Sequence, residues 1–240
     1  MIRRSPLRLS FAVAAAAVAL SGCATFTNTD VVAQVGDAEL TTSEFTQRAA
    51  QTIGAVDEPI DGDAARGVVA NWIYLMFADE AGLLDAHDSG PDNTGVACFN
   101  VFTAPDAAVA ETAIDRLRSG EDPAAVGSEL DPTSTGGGSI GCAPIANFNP
   151  EITTQLGGIS IDDPYRIVYG GADTFVVSLQ PRSQINGIEL LQAVQAVSPE
   201  TVASALEATQ TSDIYVNPRF GSFQPDTGGV EPLGGPVPPR

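Results

Sequence analysis

The sequence contains no lysine, one histidine (His87), one tryptophan (Trp72) and three cysteines in 240 residues. Each scarcity removes a class of function. Nucleic acid is bound through clustered Lys and Arg, and here 30 acidic residues stand against 11 basic ones, for a formal charge of −19. Nucleic acid is therefore excluded as a partner. His87 lies in the polar, turn-rich stretch 85–95 and reads as a solvated loop histidine. No Ser/His/Asp or Cys/His arrangement is credible with that residue alone. Two cysteines and one histidine without close spacing do not make a tetrahedral ligand set, so no metal and no cofactor is expected. The acids are scattered, with no sign of paired glycosidase carboxylates. Gly136-Gly137-Gly138 is followed by no lysine and starts no helix, so it reads as a turn rather than a phosphate loop.

The N-terminal stretch reads as a targeting pattern. Arg3, Arg4 and Arg8 precede the uninterrupted apolar or small run Leu9–Leu20. That run is too short to span a bilayer, which takes about 20 apolar residues, and reads as a secretory signal. Arg3-Arg4 hints at a twin-arginine route, but the rest of that motif is absent. Leu20-Ser21-Gly22-Cys23 resembles the lipobox of bacterial lipoproteins, in which an aliphatic residue and two small ones precede an acylated cysteine. The resemblance implies that Cys23 becomes a lipidated N-terminus on the outer face of the cell membrane. A plain signal with an incidental cysteine is the other reading. All 30 acids but only eight basic residues follow Cys23, giving the mature body a formal charge of −22. Anionic lipid repels such a body, so two or three acyl chains have to hold it alone. Cys98 and Cys142 remain in an oxidising compartment, where two leftover cysteines usually pair; two buried free thiols are the alternative.

The mature chain, 218 residues, is enough for one or two domains with real cores. After a polar tether at 23–30, residues 31–35 alternate as a strand and Gly36-Asp37 signals a turn. Thr41-x-x-Glu44 has capping-box spacing before a helix to about Ile53, and 57–63 reads as loop. Val69, Trp72, Ile73, Met76 and Phe77 fall at helical spacing on one face of 64–81, with Trp72 as a core anchor. A strand is expected over 96–102, a helix over 106–119, a short helix from Pro123 to Leu130, and a glycine-rich loop over 131–141. Another short helix starts at Asn149-Pro150, and a strand closes the segment at 174–179. The stretch 188–208 reads as helix split at Ser198-Pro199, and 214–216 as a short strand. Residues 222–240 are Pro- and Gly-rich and read as an extended or disordered tail.

The middle order resembles a parvulin-type peptidyl-prolyl isomerase domain, covering about 95–183. It is carried by strand residues 97–102, by Leu117-Arg118-Ser119-Gly120-Glu121-Asp122, by the turn Gly137-Gly138-Ser139-Ile140-Gly141, by Asn149-Pro150-Glu151-Ile152, by the 156–160 motif and by the strand 174–179. The flank 31–45 is similar to the opening of the SurA and PrsA chaperone family. Together these resemblances imply an α+β fold: a discontinuous, mostly helical SurA N-terminal-like chaperone domain (31–90 plus 186–221) with the parvulin-like antiparallel-sheet domain inserted. They further imply that 214–216 pairs beside 31–35, and that the partners are unfolded or exported polypeptides.

Prolyl isomerisation needs no nucleophile or metal. It needs an apolar slot and a desolvated polar setting that loosens an amide whose rotation barrier is about 18–20 kcal/mol. Parvulins use two buried histidines, an Asp or Cys, and an apolar pocket. By resemblance, the first histidine position falls on Phe99, the second on Thr174 or Phe175, the acid on Asp131, and the slot on Phe148 and Ile152. Asp131 is thus the one candidate catalytic group, although a turn residue before Pro132 is its plainer reading. Phe99, Phe148, Ile152 and Phe175 are candidate peptide contacts, with core packing as the alternative. Two functions follow: a membrane-anchored folding factor with weak or absent isomerase activity, or a non-catalytic peptide- or protein-binding envelope lipoprotein.

Overall fold

Local signals place four of the helices. Thr41 Oγ1 accepts from the Glu44 N–H (3.2 Å), Asp106 from the Val109 N–H (2.9 Å), Asn149 from the Glu151 N–H (2.7 Å), and Asn186 from the N–H groups of Ile188 and Glu189 (3.1 Å each). Each satisfies a donor that the helix itself leaves open. The computed structural model describes residues 30–53, 60–90, 95–130 and 139–233; the stretch read as a secretory signal, Cys23 and Asp131 lie outside the described residues. In chain order the elements are β1 (Val31–Val35), β2 (Ala38–Thr41), α1 (Thr42–Ile53), α2 (Gly62–Glu80), α3 (Leu83–Asp88), β3 (Val96–Ala104), α4 (Ala107–Arg118) and α5 (Pro123–Leu130). Then follow β4 (Ser139–Pro144), a 3-10 turn at Ile145–Asn147, α6 (Pro150–Gln155), β5 (Tyr165–Gly170), β6 (Asp173–Leu179), α7 (Gly187–Gln195), α8 (Pro199–Thr211), β7 (Ile214–Val216), β8 (Ser222–Gln224) and β9 (Gly229–Glu231).

β1 is the centre of a three-stranded antiparallel sheet ordered β2-β1-β7, with Ala33 opposite Val216. The expected pairing of the first strand with 214–216 is therefore present. Against it packs a core of Val32, Leu40, Phe45, Val69, Trp72, Ile73 and Phe77. The sequence reading gave α2 one apolar face. Its other side is also buried, because Leu75 and Ala78 meet Leu190, Leu191 and Val194 of α7 and Val202 of α8. One helix thus walls two cores, which is why it is apolar almost all round.

The middle of the chain forms a four-stranded antiparallel sheet ordered β4-β3-β6-β5. Side chains alternate across it. Phe102, Ala104 and Val176 face α4 and α5, where Ala110, Ala113, Ile114, Leu117 and Val126 cover them. Phe99, Val177 and Leu179 face the opposite way, towards Ile145, Leu156 and Ile159. Cys98 and Cys142 stand directly opposite one another on β3 and β4 and are joined by a disulfide, with Cα atoms 3.9 Å apart.

Four expectations change. His87 is not a solvated loop residue: it lies on α3 and is fully buried, because Leu84 and His87 are spaced i, i+3 and turn inward together. α2 begins inside the stretch read as loop. β4 occupies the C-terminal part of the stretch read as a glycine-rich loop. The segment 222–231 is no extended tail but a hairpin of β8 and β9, turned at Gly228 (φ +67°), with Val230 buried against the α2 core. Among the described residues, no helix is long and apolar enough to cross a membrane.

Candidate functional site

Four residues singled out in the sequence come together on one face of the four-stranded sheet. Phe99 on β3 and Phe175 on β6 point to the same side, four residues apart in the register, since Phe175 is opposite Thr103. The turn after β4 carries Phe148 and α6 carries Ile152 onto that face. The Phe99 and Phe148 rings meet edge to face with centroids 6.1 Å apart. Phe99 is 1 % exposed, so it is a core residue; burying such a side chain contributes about 1.5–3 kcal/mol. Phe148, Ile152, Phe175 and the neighbouring Val101 are only half-buried and form an apolar rim around it. Thr174, the alternative match to the second histidine position, points to the other side of the sheet, opposite Ala104 and Tyr169.

This local arrangement has sequence causes. Asn149 caps α6 and Pro150 fits its first turn, which fixes the approach of Phe148 and Ile152 to the sheet. Gly170 leaves room for the Phe175 ring: a β-carbon there would come within 3.0 Å of Phe175 Cε2. The far side of the cluster is closed by the turn at 156–163. There Arg166 donates to Gly158 O (2.5 Å) and to the Asp163 carboxylate (2.8 Å), and Arg118 donates to the same carboxylate (3.1 Å). Hydrogen bonds from Arg118 and Arg166 hold the Asp163 carboxyl below its ordinary range.

The one histidine is elsewhere. His87 Nδ1 lies 3.1 Å from Asp88 Oδ1, and Nε2 lies 3.4 Å from the Cys98 carbonyl oxygen. Asp88 also accepts from Arg182 Nε (2.6 Å), and Arg182 reaches Asp79 (2.8 Å) and Asp85 (2.6 Å) with its other nitrogens. The Asp88 bond is the main reason the Arg182 guanidinium is held above its ordinary value. This group ties α2 and α3 to the segment leaving β6. Sequence reading missed it, because Asp79 on α2 and Asp85 and Asp88 on α3 meet the distant Arg182 only in the folded chain. The Arg182 cluster borders a depression of about 680 Å³ that also takes in Asp37, Glu80 and Asp213. A second, of about 640 Å³, lies between β4 and α7.

The described side chains gathered around Phe99 are thus apolar and place no imidazole there. Such a face can hold the side chains of an extended chain or a pyrrolidine ring, and it has little with which to polarise an amide.

No family model matches the chain, and no curated protein matches it. Solved structures similar to it are the peptidylprolyl isomerase PrsA from Bacillus cereus (16 % identity, 74 % of this chain and 77 % of that one, TM-score 0.32), PrsA from Bacillus subtilis (11 % identity, 74 % and 92 %, TM-score 0.33), and the foldase protein PrsA from Streptococcus pneumoniae (12 % identity, 75 % and 73 %, TM-score 0.30).

Proposed function

We propose that this chain is an extracytoplasmic folding factor. It is held to the outer face of the cell membrane by acylation of Cys23 and binds unfolded exported polypeptides. Its prolyl isomerase activity is weak or absent. The observation that carries the reading is the half-buried rim of Val101, Phe148, Ile152 and Phe175 around the buried Phe99. Apolar side chains gathered together and left half-buried offer a surface on which an apolar partner can pack. The two stretches 31–90 and 186–221 act as one chaperone domain, and 95–183 as the unit inserted into it. The X–Pro bond isomerises over tens to hundreds of seconds without help, so a factor that holds clients during that delay is useful even without catalysis.

A fully non-catalytic, peptide- or protein-binding role is the second reading, and one observation favours it. Phe99 stands where the resemblance asks for a histidine, and its ring is spent on packing against Phe148. Two assays on the mature chain carrying Cys23→Ser decide between them. Suppression of aggregation of an unfolded client is expected. In a protease-coupled X–Pro peptide assay the rate is expected far below that of an active parvulin at equal concentration. A rate equal to an active parvulin overturns the weak-or-absent assignment. Phe148→Ala is expected to weaken client protection; if both assays are unchanged, the rim is structural only.

A further inference from the structure

We infer that the outer edge of β4, together with the exposed flank of α7, forms a second groove that takes an extended, Lys- or Arg-bearing polypeptide segment by strand addition. The partner class rests on the polypeptide-binding reading above, but the surface is a different one, on the α7 side of the sheet.

The direction of the main chain at Cys142 carries the argument. The Cys98 carbonyl accepts from the Gln180 N–H at 2.9 Å, so the main-chain groups of Cys98 face β6. Cys142 is directly opposite Cys98. In an antiparallel ladder, residues opposite one another either exchange both main-chain bonds or both turn away. Cys142 therefore turns its N–H and C=O to the free side of β4, and Pro144, two residues on, turns its carbonyl the same way. β4 is an edge strand, and that side opens on the groove of about 640 Å³ lined by Cys142, Pro144, Asn147, Glu189, Gln192 and Ala196.

The opposite edge of the same sheet shows what a closed edge looks like. At β5 the Gln155 side-chain amide donates to Tyr169 O (3.1 Å) and accepts from Tyr169 N–H (2.7 Å), imitating a further strand, while Arg166 donates to Tyr165 O (2.7 Å). Unpaired edges are ordinarily blunted in this manner. Among the described residues, no side chain is bonded to the main chain of Cys142 or Pro144. The disulfide to Cys98 braces β4 from behind, so an added strand meets a fixed template. Main-chain bonds then give affinity, and flanking side chains select.

Charge selects the occupant. The Glu189 carboxylate lies over Gly141, where a β-carbon would come 2.5 Å from its Oε2. Among the described residues, no basic one lines the groove, and the sequence after Cys23 carries a formal charge of −22.

The test uses the mature chain with Cys23→Ser and a labelled ten-residue peptide of alternating Val and Thr with two lysines and no proline. Two further versions are N-methylated at odd or at even positions. Strand addition uses only alternate N–H groups, so one methylated version is expected to bind about tenfold more weakly, the loss of a main-chain bond, and the other to bind like the parent. Glu189→Lys is expected to weaken the parent peptide about tenfold at low salt through like-charge repulsion. Equal binding of the two methylated peptides, no binding of the parent, or an unchanged Kd in Glu189→Lys overturns the groove. If the groove fails while Phe148→Ala still abolishes client protection, the rim reading stands alone; the converse pattern retains the groove and removes the rim.

Discussion

At Gly187, where α7 begins, a β-carbon would collide with Leu75 N and lie 2.7 Å from Asn71 O and 2.8 Å from Leu75 Cα. These are backbone atoms of α2, which cannot yield as a flexible side chain would. Gly187→Ala is therefore expected to lower stability by about 1–3 kcal/mol, as overpacking does, read as a shift in the urea midpoint at constant slope. Asp163 supplies a different kind of test. Its carboxyl is held below the ordinary value of 3.8 chiefly by the Arg118 hydrogen bond and then by that from Arg166. A depressed acid stabilises the fold above its unfolded value, and the contribution is lost as pH falls through the folded one. The stability gap between the parent and Asp163→Asn is thus expected to stay level from neutral pH to about 3.8 and to narrow below it. The group is half exposed, so salt should shrink the gap at every pH. A gap that widens in acid contradicts the assignment of Arg118 and Arg166 as its partners.

Helices with a cap and a 3.6-residue repeat were legible in the sequence: α4, α6 and the α7–α8 break at Ser198-Pro199 stand where Asp106, Asn149 and that dipeptide place them. Among the strands, β2, β4, β5, β8 and β9 were not. β4 (SIGCAP) carries a glycine at φ +75° and ends on proline, which is edge-strand chemistry. β5 (YRIVYG) is apolar on both faces because Val168 lies under the rim and Ile167 under α4. The gathering of Phe99, Phe148, Ile152 and Phe175 was legible through resemblance; the burial of His87 and the Arg182 cluster were not, because they depend on α3 packing against β3. The disulfide belongs to this scale as well. It closes a segment of 44 residues, and the chain-entropy relation gives about 4 kcal/mol as the upper size of its effect. Reduction is expected to lower the urea midpoint accordingly and to raise amide exchange in β3 and β4. Exchange in β1 and β7, held by a separate core, should change less. Uniform acceleration in both sheets would mean that they open together.

For the whole molecule, charge sets two opposed responses to salt. Arg48, Arg66, Arg116, Arg118, Arg166 and Arg182 each hold at least one carboxylate; among the described residues these ion pairs take in eight carboxylates, of a chain that carries 30 acids. The remainder repel one another, and net charge this far from zero destabilises a compact state. Raising ionic strength from about 0.01 to 0.15 M shortens the screening length from roughly 30 Å to 8 Å. Repulsion across the body weakens more than the short pairs do, so Tm is expected to rise. If the apolar rim and the β4 edge take clients as proposed, the same negative field draws cationic unfolded segments toward both, and steered association falls steeply with salt. The association rate with a basic client is therefore expected to drop over the interval in which Tm climbs, measured by stopped-flow fluorescence and by thermal unfolding in the same buffers. An acidic client of equal apolar content should associate more slowly at low salt and gain from added salt. If basic and acidic clients respond alike, apolar contact alone governs capture and the charge of the body serves only solubility.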